Sequence, residues 1–198
     1  MNRAHALICS SRWWAGNVRE TLLAWGLDGV DLGGDVLEIG PGFGATTRVL
    51  AEGGGASRRL TVIELDPRYC AHLRRTLPES VEIVQGDASD MPFEDRRFSA
   101  VVCFTMLHHL PSPELQDRLL GEVARVLAPG GLFAGTDSLG TGALFRLIHL
   151  GDTLVPVPPE GLAERLRGAG LSEVNVERGG RSFRFRACRS AKGVVDAA

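Results

Sequence analysis

Short apolar runs alternate with amphipathic segments over residues 36–136 of the chain. Each run is rich in β-branched residues and almost continuously apolar, which is typical of strands buried on both faces of a parallel sheet. The segments between them space their apolar residues three and four apart, as amphipathic helices do. The pattern predicts strands at 36–40, 60–65, 81–84, 99–104 and 132–136, and helices at 45–52, 67–77 and 113–127.

The ends of the chain follow a different rhythm. Apolar residues at helical spacing predict an N-terminal helix over 13–25, whereas 138–159 mixes glycine, proline and apolar residues and is predicted to be an insertion. A helix at 160–169 precedes two strands, 173–177 and 182–188, and their short glycine-containing link predicts an antiparallel hairpin. The expected fold is therefore a doubly wound α/β sheet of seven strands, with strand seven antiparallel, in a single domain over 1–198.

Composition narrows the function classes only slightly. The formal net charge of the 198 residues is -2, so no global field attracts nucleic acid or anionic membranes. No apolar run approaches the roughly 18–20 residues that span a bilayer, and we expect a cytoplasmic protein. The four cysteines are Cys9, Cys70, Cys103 and Cys188. None forms a C-x-x-C pair or has a histidine at zinc spacing, so no metal ligands are predicted.

A glycine-rich turn and three acidic residues provide the candidate chemistry. The first predicted strand runs into Gly40, Gly42 and Gly44, and a helix follows, which favours a ligand lying against bare backbone. Glu64 ends the second strand, where a carboxylate can accept hydrogen bonds from ribose hydroxyls. Asp87 ends the third strand and can accept a hydrogen bond from an exocyclic amine, and Glu38, inside the first strand, could face a cationic ammonium group. Carboxylates along one sheet edge suit a ligand with a positive charge and a diol, and they repel a pyrophosphate.

Each of these features also has a purely structural interpretation. The glycine turn can serve packing alone, and Glu64 can support the helix cap formed by Asp66 before Pro67. Asp87 can be a simple turn residue after Gly86. The functional interpretation rests on their joint occurrence at successive strand ends.

Together these segments resemble the class I S-adenosylmethionine-dependent methyltransferases. The resemblance is carried in the family's order by E-I-G-P-G-F-G, V-I-E-L-D, Q-G-D-A-S-D-M-P-F, F-S-A-V-V-C-F-T-M-L-H-H-L and V-L-A-P-G-G-L-F-A-G, and it covers about half of the chain. It implies a Rossmann-like sheet of order 3-2-1-4-5-7-6. It also implies S-adenosylmethionine as cofactor and methyl transfer to a small-molecule acceptor, with no nucleic-acid or membrane partner.

The resemblance assigns roles to particular positions. The three glycines would wrap the methionine and ribose parts of the cofactor, and Glu64 would hold the ribose hydroxyls. Asp87 would read adenine, and Thr105 would lie near the methionine end. The full set of expected cofactor-binding residues is Glu38, Gly40, Gly42, Gly44, Glu64, Leu65, Gly86, Asp87, Ala88 and Thr105.

Three histidines are candidates for a general base. His108 and His109 follow strand four, beside the expected methyl group, and His149 lies in the insertion. An imidazole titrates near neutral pH and can take a proton from a hydroxyl acceptor, although a His-His-Leu turn can also simply precede a helix. A lid over the cofactor is predicted from Trp13, Trp14 and Asn17. The acceptor pocket is predicted to be largely apolar and lined by Phe145, Leu147, Ile148 and Leu150.

Other functions remain open at this point. An RNA adenine methyltransferase also carries Gly-Pro-Gly and Ile-Glu-Leu-Asp, but it needs an Asn-aromatic motif where this chain has Phe104-Thr105-Met106-Leu107. The fold could instead bind S-adenosylmethionine without methylating, as a cyclase or a binding module. A nicotinamide dehydrogenase fits the carboxylate after strand two but not the glycine spacing.

Overall fold

A computed structural model describes residues 3–55, 57–142, 145, 147 and 149–191. Its seven strands form one sheet in the order β3-β2-β1-β4-β5-β7-β6, and β7 runs antiparallel to both of its neighbours. The predicted strand order and the antiparallel last strand are thus confirmed. The strands are β1 Asp35–Ile39, β2 Arg59–Glu64, β3 Val81–Gln85, β4 Phe98–Phe104, β5 Leu127–Ser138, β6 Leu171–Gly179 and β7 Ser182–Arg189.

Helices cover both faces of the sheet. They are α1 Arg3–Cys9, α2 Arg12–Asn17, α3 Ala24–Gly26, α4 Ala45–Gly53, α5 Pro67–Thr76, α6 Pro113–Val126 and α7 Pro159–Gly168. A π-helical turn, Val18–Leu23, joins α2 to α3, so the predicted N-terminal helix over 13–25 is one helix with a widened turn. Asp66 and Ser112 cap α5 and α6 with their side chains, and a proline follows each cap.

Alternate residues of the central strands feed two separate apolar layers. Leu37, Ile63 and Val101 belong to the layer that packs under α6 and α7, whereas Val62 and Val102 belong to the layer under α4, α5 and the N-terminal helices. Side chains of a strand alternate between faces, so strands apolar at every position require cover on both sides. This is the physical reason that near-continuous apolar runs predicted a doubly wound sheet.

The arginines of β7 tie the N-terminal helices to the sheet. Arg184 pairs with Glu177 and donates to the carbonyl of Trp25 at 3.0 Å. Arg186 donates to the carbonyls of Gly26 and Asp28. Both therefore bind carbonyl groups at and just beyond the end of α3, where cations are favoured. These hydrogen bonds attach the arginine-bearing face of this otherwise apolar strand to the backbone of the N-terminal helices.

Among the described residues, no helix combines the length and the apolar character needed to cross a bilayer.

Candidate active site

A cavity of about 690 Å³ opens beyond the carboxyl ends of the central strands. Chain connections from β1 and from β4 lead to opposite sides of the sheet, so a crevice forms where the strand order reverses. The cavity is bordered by the glycine loop, the ends of β2 and β3, the turn after β4, and parts of the N-terminal helices and of the insertion.

The glycine loop adopts a backbone that disfavours side chains. Gly40, Gly42 and Gly44 have φ angles of 63°, 55° and 74°. A Cβ on Gly40 would stand 2.4 Å from Met106 Cγ, and one on Gly44 would stand 2.7 Å from Leu73 Cδ2, whereas a Cβ on Gly42 would meet nothing within 4 Å. Gly40 and Gly42 line the cavity, and Gly44 instead begins α4. Gly40 and Gly44 thus allow neighbouring side chains to pack closely against the loop, whereas the backbone of Gly42 faces open space.

Glu64 is held at the cavity edge by backbone donors. Its carboxylate accepts hydrogen bonds from the amides of Gly42 at 3.1 Å and Asp66 at 3.0 Å. Burial raises the pKa of this carboxyl, and these two hydrogen bonds counteract part of that rise. Leu65, which follows it, is 67% exposed and also lines the cavity. A buried acid and an exposed apolar side chain therefore stand side by side at the end of β2.

Glu38 occupies a different position from the other acids. It is almost wholly buried, accepts a hydrogen bond from the Thr46 hydroxyl of α4, and is not among the described residues that line the cavity. Burial raises its pKa to about 7, and the nearby charge of Glu64 adds to that rise. The side chain therefore joins β1 to the first turn of α4, directly beneath the glycine loop.

The turn after β3 presents a second acidic group to the cavity. Gly86, Asp87 and Ala88 all border it. Asp87 is exposed, and its Oδ1 accepts from the amide and the hydroxyl of Ser89 at 2.8 and 2.9 Å. A Cβ on Gly86 would lie 3.2 Å from Ile63. The turn thus fixes the Asp87 carboxylate at the cavity rim.

At the opposite end of the cavity, the turn after β4 carries Thr105 and His108. Thr105 has a φ of 49° and donates its amide to the Thr136 carbonyl of β5 at 2.8 Å. His108 is buried, and its Nδ1 donates to the carboxylate of Asp137, which is fully buried at the end of β5. The backbone amide of His108 donates to the same carboxylate at 3.1 Å. Asp137 therefore fixes both the tautomer and the direction of this imidazole.

All three candidate histidines converge at this end. One ring nitrogen from each of His108, His109 and His149 lies within 4.8 Å of the others. His109 Nδ1 donates to the Thr153 carbonyl at 3.2 Å, and His149 Nδ1 donates to the Phe145 carbonyl at 2.8 Å. All three line the cavity. His149 of the insertion thus lies beside His108 and His109, which follow β4.

The flanking segments border the cavity only in part. Trp14, Asn17 and Phe145 line it, but Trp13 is 72% exposed. The expected apolar wall is similarly incomplete, because Leu147 and Leu150 lie at the surface; Ile148 is outside the described residues. Asp137 was not predicted as a site residue, although its position at a strand end is the same signal that identified Glu64 and Asp87.

The residues at the glycine-loop end fit S-adenosylmethionine. The open space above Gly42 admits a ligand against the backbone, and Glu64 and Asp87 place acceptors at the ends of two neighbouring strands. Such acceptors suit ribose hydroxyls and an adenine amine. The acids also favour a cationic ligand over a pyrophosphate.

Comparison with known proteins agrees with this geometry. A family model described as "Methyltransferase domain" matches residues 36–131. The chain is 41% identical over 108 residues to a fatty-acid O-methyltransferase of Mycolicibacterium smegmatis. This alignment covers 52% of this chain and 36% of that protein. It is 39% identical over 111 residues to the "Probable phthiotriol/phenolphthiotriol dimycocerosates methyltransferase 2" of Mycobacterium ulcerans, and this alignment covers 54% of this chain and 41% of that protein. The chain therefore spans well under half the length of these curated relatives.

A solved structure extends the likeness of fold to most of the chain. Phosphoethanolamine N-methyltransferase 2 of Haemonchus contortus, in complex with S-adenosylmethionine, superposes with a TM-score of 0.73 at 16% identity. The superposition covers 94% of this chain and 56% of that one. The superposition shows that the fold is shared beyond the matched residues, whereas the family model and the curated relatives place the chain in the class I S-adenosylmethionine-dependent methyltransferase family.

Proposed function

We propose that this chain transfers the methyl group of S-adenosylmethionine to an oxygen atom of a small, partly apolar acceptor. The observation that carries the proposal is the continuity of the cavity, which joins the glycine loop and Glu64 at one end to the histidine cluster at the other. A cofactor held at the first end would face an acceptor at the second, which is the arrangement that methyl transfer needs.

The chain's contribution at the cofactor end is binding and orientation. S-adenosylmethionine, when bound, supplies a methyl group on a positively charged sulfur with a neutral leaving group. Glu64 accepts hydrogen bonds from the ribose hydroxyls, and Asp87 accepts one from the adenine amine. The backbone at Gly42 carries no side chain, so the cofactor can approach it closely. Because the methyl group is already activated, holding the reactants in line accounts for much of the catalysis.

At the acceptor end the histidine cluster is where the acceptor loses its proton. A hydroxyl acceptor must lose a proton to attack efficiently, and the histidine cluster can assist that loss. A carboxylic acid is already ionised at neutral pH and needs only to be held in position. Apolar side chains, including Leu110, Leu115 and Phe145, share the cavity wall with the imidazoles. An acceptor with an apolar body and one oxygen group fits this wall, and lipid-related substrate names of the matched relatives point the same way.

The test uses methyl-labelled S-adenosylmethionine with a panel of fatty acids, hydroxylated lipids and small phenols. We expect formation of S-adenosylhomocysteine with at least one oxygen acceptor. Glu64→Ala and Asp87→Ala should each weaken S-adenosylhomocysteine binding by roughly 1–3 kcal/mol, measured by calorimetry. His108→Ala should leave that binding unchanged and lower kcat by roughly 10²- to 10⁴-fold.

Glu79→Ala, an exposed acid outside the cavity lining, serves as the control for the two acidic variants. Unchanged affinity in both acidic variants would refute the cofactor site. Tight cofactor binding without product for any acceptor would refute methyl transfer and favour a non-methylating enzyme of the same fold.

A further inference from the structure

Three imidazoles meet at one point of the cavity wall, and the fold brings them there from two separate segments. His108 and His109 lie in the turn after β4, His149 lies in the insertion, and their nearest nitrogens are all within 4.8 Å. The centroids of the His108 and His109 rings are 4.2 Å apart, and that of His149 is 5.3–5.4 Å from both. The only other histidines of the chain are His5 and His72.

In each of the three imidazoles, Nδ1 forms a hydrogen bond with an oxygen acceptor. Nδ1 donates to the Asp137 carboxylate in His108, to the Thr153 carbonyl in His109 and to the Phe145 carbonyl in His149. A carbonyl oxygen only accepts, so Nδ1 carries the proton and Nε2 of a neutral ring keeps its lone pair. Metal-binding histidines characteristically donate their other ring N–H to a carboxylate or a backbone carbonyl in this way.

The spacing requires only a small closure around an ion. Zinc–nitrogen bonds of about 2.0–2.1 Å set tetrahedral ligand nitrogens roughly 3.4 Å apart. In this structure the three nitrogens lie within 4.8 Å of one another. Side-chain movements of about 1 Å would bring them to the spacing of zinc ligands. Nitrogen donors suit Zn²⁺ and its first-row neighbours rather than the hard cations Mg²⁺ and Ca²⁺.

We propose that His108, His109 and His149 form a binding site for a divalent transition-metal ion of the Zn²⁺ type, open on the side of the cavity. Three histidines with a free fourth position are a donor set found in catalytic zinc sites. The Asp137 carboxylate, wholly buried behind His108, orients that ligand and gains a compensating positive charge.

What the site would do rests on the proposed function. An acceptor oxygen reaching the open position would be held as its conjugate base, with its proton released to water. The carbon–sulfur bond of the cofactor then breaks as the carbon–oxygen bond forms, and no oxidant or reductant is consumed. The site would thus select acceptors that present an anionic oxygen.

Metal binding is tested without cofactor or acceptor, so its outcome is separate from that of methyl transfer. The 198-residue chain without an affinity tag is stripped with a chelator and titrated with Co²⁺ while its visible absorption is followed, and Zn²⁺ is then added as competitor. We expect one equivalent of Co²⁺ per chain, displaced by one equivalent of Zn²⁺. His109→Ala and His149→Ala should weaken binding by more than the 10- to 100-fold that a change in a supporting group typically costs.

Two further variants separate a ligand site from general effects. Asp137→Asn should weaken binding by roughly 10- to 100-fold, as loss of an orienting carboxylate does, and His72→Ala, on the distant α5, should leave it unchanged. Circular dichroism and S-adenosylhomocysteine affinity confirm that each variant is folded. Absence of stoichiometric binding, or binding retained in a His109→Ala/His149→Ala double variant, overturns the proposal.

Discussion

Gly42 and Gly29 have similar left-handed backbones but different surroundings. Their φ angles are 55° and 66°, and an added Cβ would meet nothing within 4 Å at either position. Alanine at each position should therefore lower the free energy of unfolding by a similar 1–2 kcal/mol, the usual cost of this conformation for a residue with a Cβ. Gly42 borders the cavity and Gly29 does not.

We therefore predict that Gly42→Ala weakens S-adenosylhomocysteine binding at least tenfold, because the new methyl group occupies space needed by the ligand. Gly29→Ala should bind it normally. Denaturant unfolding measures the first effect and calorimetry the second. Equal affinities in the two variants would show that ligand does not approach the Gly42 backbone.

The buried carboxyl of Glu38 should make stability depend on pH. Burial raises its pKa from the ordinary 4.5 to about 7 in the folded protein. The group thus favours the folded state while protonated, and this contribution disappears as the pH rises from about 4.5 through 7. The shift corresponds to roughly 3 kcal/mol.

We predict that Glu38→Gln gains stability relative to the wild type as the pH increases from 5 to 8, because the amide has no charge to bury. The measurement is the free energy of unfolding by urea at each pH, with the exposed Glu79→Gln as control. A pH-independent difference between Glu38→Gln and wild type would contradict the assignment.

At the scale of elements, attachment of the N-terminal helices depends on β7. Arg184 bonds both Glu177 and the Trp25 carbonyl, and its side chain is only 18% exposed. We predict that Arg184→Ala lowers the free energy of unfolding by about 1.5–3 kcal/mol, the usual worth of charge-assisted hydrogen bonds. Amide hydrogen exchange should accelerate in residues 18–28 and stay slow in β1 and β4.

Arg178→Ala provides the matched control. Arg178 pairs with Glu160 at the surface, where both side chains are at least 60% exposed, and such pairs contribute about 0–1 kcal/mol. If the two variants had equal effects, Arg184 would not anchor the N-terminal helices. Because Trp14 and Asn17 border the cavity, loosening this element should also weaken cofactor binding.

For the whole molecule, ligand binding should raise thermal stability. The cavity takes residues from most elements of the fold, so a ligand bound there stabilises the folded state as a unit. At 100 times its dissociation constant, S-adenosylhomocysteine should add about 2.7 kcal/mol, which raises the Tm by roughly 5–10 °C for a chain of this size. Calorimetric scanning with NADH is the control, and stabilisation by NADH alone would favour a dehydrogenase.

The pattern of the sequence determined much of the architecture. Near-continuous apolar runs predicted the doubly wound sheet, and the short link before β7 predicted its antiparallel direction, because both signals are local. The acids at the ends of β2 and β3 were identified for the same reason. The start of β5 was predicted too late, since Leu127 joins the strand by pairing with Phe98 across a register shift.

Only the tertiary structure decided which side chains share a space. Glu38 lies under α4 rather than in the cavity lining because alternate residues of β1 face opposite layers. His149 meets His108 and His109 because the insertion folds back over the end of β4, and Asp137 meets His108 because β5 lies beside β4. Local patterning thus set the elements and their order. Contacts between residues distant along the chain, which no local pattern encodes, assembled the histidine cluster at the end of the cavity.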